Sequence, residues 1–128
     1  MITSPAELLL DTNDLIRTVN KDDARRRTIV SRAYYAAFHH CLIVSRNNGY
    51  AFDRNGRYGT HESLIKFLRN HSNSDMEYAG RLLEGLKARR IIADYAMDLP
   101  ISTCEAKETI EEASVILNEV LEFLDSVS

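Results

Sequence analysis

From Asp23 to Asn48 the chain reads DARRRTIVSRAYYAAFHHCLIVSRNN. Ile29, Ala33, Ala37, Cys41 and Val44 recur at intervals of three and four, the spacing of one helical face. With Asp22 or Asp23 as N-cap, the stretch predicts a long helix to about Asn48. Its centre, Ser31 to His39 (SRAYYAAFH), carries polar and ionisable side chains within an otherwise apolar pattern. Roughly fifty residues later Arg90 to Tyr95 (RIIADY) does the same. Polar groups on a buried helix face cost free energy unless they find partners. The two stretches are therefore expected to face each other or a shared groove.

Helix signals dominate the remaining sequence. Ser4-Pro5-Ala6-Glu7 forms a capping box with Pro5 at the first helical position, predicting a helix to about Asn20. Gly49 to Gly59 (GYAFDRNGRYG) is the clear loop, long for a helix–helix connection and so a candidate binding or mobile segment. Thr60 is expected to cap a short helix with Leu64, Ile65, Phe67 and Leu68. Ser74-Asp75-Met76-Glu77 reads as a second capping box, opening a helix with Ala79, Leu82, Leu83 and Leu86. Gly80 and Gly85 each lower its propensity by roughly 1 kcal/mol relative to Ala, and suit close helix approach. After Pro100, Ser102-Thr103-Cys104-Glu105 is a third capping box. It predicts a last helix to about Asp125, with Ile110, Ala113, Leu117, Val120, Leu121 and Leu124 on one face. No alternating strand pattern appears. The expectation is one all-α domain over 1–128, an up-and-down bundle of four main helices plus a short one.

The bulk numbers agree with a single core. The chain has 128 residues, 45% hydrophobic and 27% charged, an ordinary globular composition. A formal net charge of −3 argues against a generally basic nucleic-acid coat but allows a local basic patch. Cys41 and Cys104 carry no disulfide or zinc signature, which favours a reduced, cytoplasmic setting. No segment is long and apolar enough for a membrane span, and the N-terminus lacks the pattern of a signal peptide. Neither a metal site nor a cofactor is expected. Phosphate-loop, dinucleotide and Ser-His-Asp signatures do not occur.

Arg32, Tyr35 and His39, spaced three and four, share a helix face, with Ser31, Tyr34 and Phe38 in the neighbouring row. Such a stripe suits a groove in which Arg holds phosphate and His titrates near neutral pH. The plainer alternative packs Tyr34 and Tyr35 with hydroxyls at the rim and leaves Arg32 solvated. Arg25, Arg26 and Arg27 stand where basic residues oppose the helix dipole; they either contact phosphate or form a solvated face. Arg90 and Asp94, four apart, are either a surface ion pair worth about 0.5 kcal/mol or less, or a site in which Asp94 orients Arg90 or Tyr95. His61, just inside a helix start, either binds an anion there or is exposed.

The pair SRAYYAAFH and RIIADY, over most of the chain, resembles the HEPN superfamily, in particular its small bacterial and archaeal branch with SRAYYA-x-FH and R-x-x-ADY helices. The resemblance implies a helical bundle, usually a homodimer, with the dimer cleft as the functional surface. Many HEPN proteins are metal-independent RNases of toxin–antitoxin, CRISPR and phage-defence systems. Their usual site is an Arg followed after four to six residues by a His. This chain departs from that pattern: after four intervening residues Arg90 is followed by Tyr95, and the helix has no histidine. Tyrosine, with a pKa near 10, is a poor base at neutral pH.

The leading expectation is a cytoplasmic HEPN protein of a toxin–antitoxin or phage-defence module that binds RNA, or cleaves it with a substituted site. Arg32, Tyr35 and Arg90 would hold phosphate, His39 would be the acid/base, Asp94 would orient Arg90, and Tyr95 would donate a hydrogen bond. The first alternative is a non-catalytic dimeric interaction module whose partner is an antitoxin or a minimal nucleotidyltransferase. Tyr95 is by position the tyrosine such a nucleotidyltransferase would modify. The second is a nucleotide-binding helper.

Overall fold

The computed structural model of the chain describes residues 23–52, Gly56 and 59–120. These fold as an all-α bundle: α1 (Asp23–Asn47), α2 (Thr60–Arg69), α3 (Ser74–Tyr95) and α4 (Thr103–Val115), the last continuing through a π-helical turn at Ile116–Val120. The helix expected over Pro5–Asn20 lies outside the described residues, as do Leu121 and Leu124. None of the described helices is long and apolar enough to cross a membrane.

The central helix is α1, which packs against α2, α3 and α4. Ile29, Ala33, Ala37, Cys41 and Val44 are all fully buried. They meet Leu64 and Leu68 of α2, Leu83 and Leu86 of α3, and Ile110, Ala113 and Ile116 of α4 in one core. The apolar periodicity therefore identified the core face of each helix. At its end α1 turns on Gly49, whose φ of 99° suits glycine. There the amides of Asn48 and Tyr50 both donate to the Ser45 carbonyl at 2.9 Å.

Two of the expected caps shift by one residue. Gly59, not Thr60, is the N-cap of α2, and no side chain caps it. At α3 the cap is Asn73 rather than Ser74. The Asn73 side chain accepts from the amides of Asp75 and Met76 at 2.9 and 3.1 Å, a role Asn fills as well as Ser. Ser102 caps α4 as expected, accepting from Glu105 N at 3.0 Å.

The turn between α3 and α4 is held by the basic run at the start of α1. Arg27 is 6% exposed. Its Nη1 donates to the carbonyls of Ile92, Ala93 and Ala96 at 3.0 to 3.1 Å. Its Nη2 donates to Met97 O at 3.4 Å and to Leu99 O. Nε pairs with Asp23 at 2.6 Å. One guanidinium thus gathers the carbonyls at a helix C-terminus, where amide partners run out; of the five, Ile92 O and Ala96 O also accept from the amides of Ala96 and Leu99 at 3.0 Å. Arg26 donates to Ile101 O at 2.5 Å and Asp23 accepts from Ile101 N at 2.8 Å, so the same turn of α1 also fixes the start of α4. These arginines were expected to lie on a solvated face or to contact phosphate; Arg26 and Arg27 instead bind backbone.

Replacing Arg27 with Met should cost about 2–4 kcal/mol, because buried carbonyls lose their donors; urea unfolding measures it, and a change under 1 kcal/mol would show the cage to be dispensable. The two α3 glycines should separate. A Cβ at Gly80 would lie 2.9 Å from Leu68 Cβ and 3.0 Å from Arg69 N, whereas at Gly85 nothing lies within 4 Å. Gly85→Ala should therefore stabilise by about 1 kcal/mol, and Gly80→Ala should destabilise by about 1–2 kcal/mol through overpacking. Equal effects in thermal melts would refute this assignment of close approach.

Candidate functional site

The site grows from a tyrosine on the core side of α1. Tyr34 is fully buried, so its hydroxyl needs a partner inside the protein. It finds His61 Nδ1 at 2.5 Å. His61 stands in the first turn of α2 with its ring stacked on Phe38 (centroids 4.2 Å apart, 23°) and on Tyr34 (5.5 Å, 19°). Tyr35 meets His61 edge to face at 5.9 Å and Tyr34 at 5.4 Å.

Arg90 reaches this aromatic cluster from α3. Its Cζ lies 5.4 Å from the Tyr34 ring centroid and 5.5 Å from that of Tyr35, within cation–π range. The Arg90 side chain is 11% exposed and contacts Asp94 at 3.4 Å. Its buried Nε has no hydrogen-bond partner. A recessed guanidinium with unused donors is equipped to take an oxyanion.

The electrostatics fix the state of His61. Burial holds its pKa below the ordinary value of 6.5, and the charges of Arg90, Lys87 and His39 lower it further. Burial pushes the Tyr34 phenol up, against the opposing pull of Arg90. Tyr34 therefore keeps its proton and donates it to His61 Nδ1, which leaves the neutral imidazole with its proton on Nε2. His61 is then a hydrogen-bond donor beside a guanidinium.

The expected site residues divide. Arg90 and Tyr35 belong to the cluster, and Asp94 borders it. His39 is exposed, meeting Phe38 edge to face at 5.4 Å and Tyr35 at 6.2 Å. Arg32 is exposed and lines a neighbouring groove of about 450 Å³ between α1 and the end of α3, with Ser31, Ala93, Asp94 and Met97. Tyr95 is 74% exposed, and no ring contact or hydrogen bond joins it to Arg90, Tyr34 or His61. The imidazole paired with the buried tyrosine is thus that of His61, not His39. The sequence carried only part of the signal: an α1 tyrosine on a face turned inward demands a polar partner, but which ring supplies it depends on where the glycine loop delivers α2. Among the described residues no group of His, Cys, Asp and Glu is placed to hold a metal ion.

Compared with known protein families, with curated proteins and with solved structures, the chain matches none.

The lowered pKa of His61 makes stability pH-dependent. The unfolded chain binds the proton at about 6.5 and the folded chain does so only at lower pH. Stability is then full above 6.5 and is lost as pH falls from there toward the folded pKa. NMR titration should give a His61 midpoint below 6.5. Tyr34→Phe frees Nδ1 and should move that midpoint upward. A wild-type midpoint at or above 6.5 would contradict the lowered pKa.

Proposed function

We propose that the chain is a HEPN-like module of a prokaryotic toxin–antitoxin or phage-defence system that binds RNA, with a backbone phosphate held between Arg90 and His61. One observation carries this reading: Arg90 is nine-tenths buried over two tyrosine faces, with its Nε unpartnered and one long contact to Asp94. Burying an N–H donor without an acceptor is costly, the more so on a charged group. A phosphate oxygen supplies the missing acceptor, and His61 supplies a neutral N–H beside it. The helical bundle and the SRAYYAAFH and RIIADY helices meeting in one cluster support the family part of the proposal. A homodimer with this cluster facing a cleft belongs to the same proposal.

Binding fits the cluster better than cleavage does. Metal-independent RNA cleavage needs a base for the 2′-hydroxyl and charge stabilisation at phosphorus. Arg90 serves the second need. His61 does not serve the first, because Tyr34 occupies Nδ1 and Nε2 carries the proton. A base role falls to His39, exposed at the edge of the cluster.

A second reading, the interaction module, is favoured by a different observation. Ile91, Tyr95, Met97 and Leu99 at the end of α3 are large apolar or aromatic residues 43 to 74% exposed. Such clustering on a small domain suits a protein partner, an antitoxin or a nucleotidyltransferase in the systems named above.

Fluorescence anisotropy with an RNA pool and chelated metal tests the proposal. Arg90→Ala should weaken binding about 10- to 100-fold, matching the ~1.5–3 kcal/mol of a charge-assisted hydrogen bond. Arg32→Ala, in the neighbouring groove, should weaken it less. Undiminished affinity in a folded Arg90→Ala protein would sink the assignment. Cleavage of the same RNA that disappears in His39→Ala would instead restore the ribonuclease reading.

A further inference from the structure

The cluster opens onto a groove between α2 and α3. Glu62, Ile65, Lys66 and Arg69 form one wall, and Glu84 and Lys87 the other, around about 330 Å³. Glu62 follows His61 directly, and Lys87 precedes Arg90 by one helical turn. The groove therefore begins one residue from His61 on α2 and one turn from Arg90 on α3. Along α2 it runs from Glu62 to Asn70, about 12 Å at ~1.5 Å per residue. Among these groups Arg69 already engages Glu84 at 2.8 Å. Lys87 is half-buried, its charge acts on His61, and no carboxylate pairs with it among the described residues. The groove's cations are Lys66, Arg69 and Lys87, against Glu62 and Glu84, and Arg90 follows Lys87 one turn along α3.

We infer that this groove is the track of a single RNA strand whose first phosphate sits at Arg90 and His61, with Lys87 positioning the next phosphate along it. The inference rests on the phosphate site proposed above. A single strand is required by the recess. Arg90 lies below the surface over two tyrosine rings, and a rigid duplex presents its phosphates on an outer cylinder that does not reach down to it. A single strand can dip a phosphate to Arg90 and turn its base onto the half-buried Tyr35 ring and the exposed His39 ring, since any base stacks on an aromatic face. At ~3.4 Å per stacked nucleotide, the groove of about 12 Å holds roughly three to four nucleotides beyond the one at Arg90.

The test uses oligouridylates of two to eight nucleotides and an RNA duplex, with affinity followed over a sodium chloride series. Wild-type affinity should rise with length up to about five nucleotides and then level, and the duplex should bind at least tenfold more weakly. Lys87→Gln should lower the slope of log affinity against log salt by about 0.7, the value for one lost phosphate contact on a single strand. Lys87→Arg should restore the slope, and Lys107→Gln, on the exposed face of α4, should leave it unchanged. If wild type binds through Arg90 but Lys87→Gln keeps the full slope, the track is wrong and the phosphate site stands. Equal binding of duplex and single strand also overturns the track. If wild type binds no RNA, or Arg90→Ala binds as well as wild type, both readings fall together.

Discussion

The bundle depends on one buried guanidinium. A helix that ends inside a protein exposes carbonyls that no amide of its own can reach. Arg27 of α1 reaches five carbonyls between Ile92 and Leu99 at the end of α3, two of which, Ile92 O and Ala96 O, also accept from backbone amides. Its charge also suits the negative end of the helix dipole, and Asp23 neutralises it from the preceding turn. This contact does more than stabilise. It fixes the rotation and height of α3 against α1, because carbonyls on successive turns must all converge on one planar group. Arg90 lies on the last turns of α3, so where Arg27 clamps that end decides where Arg90 meets the tyrosines.

A second constraint comes from Tyr34. A phenol sealed in the core holds its proton, and among the described residues the acceptor it meets is His61 Nδ1. That bond sets the imidazole tautomer, and the tautomer sets the chemistry. A histidine free to accept a proton beside an arginine would be a candidate base. A histidine whose acceptor nitrogen is already used is a donor, and Arg90 reinforces this by opposing a second positive charge. The cluster is thereby matched to negative charge rather than to proton abstraction. The stacked rings of Phe38, Tyr34 and His61 hold the donor in place, limiting the reorganisation an incoming anion must induce.

Much of this was legible in the sequence, and the failures have physical causes. Periodicity found the core faces because burial selects residue type directly, as at Ile29, Ala33 and Cys41. Capping chemistry found helix starts to within a residue. It missed Asn73 because Asn and Ser compete on nearly equal terms for the same amides. Composition could not separate Gly80 from Gly85, since only the packing of α2 makes one of them obligatory. The meeting of SRAYYAAFH with RIIADY was foreseeable from the cost of burying their polar groups. The choice between His39 and His61 was not. Spacing puts His39 on the helix face with Arg32 and Tyr35, but which ring pairs with Tyr34 depends on where the glycine loop delivers α2. Arg26 and Arg27 were misread because a basic run at a helix start looks solvated until another helix ends against it.

Two arginines on this chain, similarly buried, differ in one countable property. A guanidinium has five N–H donors. Those of Arg27 are all engaged: Nε by Asp23, Nη1 and Nη2 by backbone carbonyls. Arg90 makes one hydrogen bond among the described residues, 3.4 Å to Asp94, and has an idle Nε. A saturated arginine has nothing left to offer a ligand, and its role ends with the fold. An unsaturated one, held in place by aromatic faces that satisfy its charge but not its donors, keeps its hydrogen bonds in reserve. Donor saturation, more than exposure or position in a motif, separates the arginine that builds this protein from the one that equips it to bind.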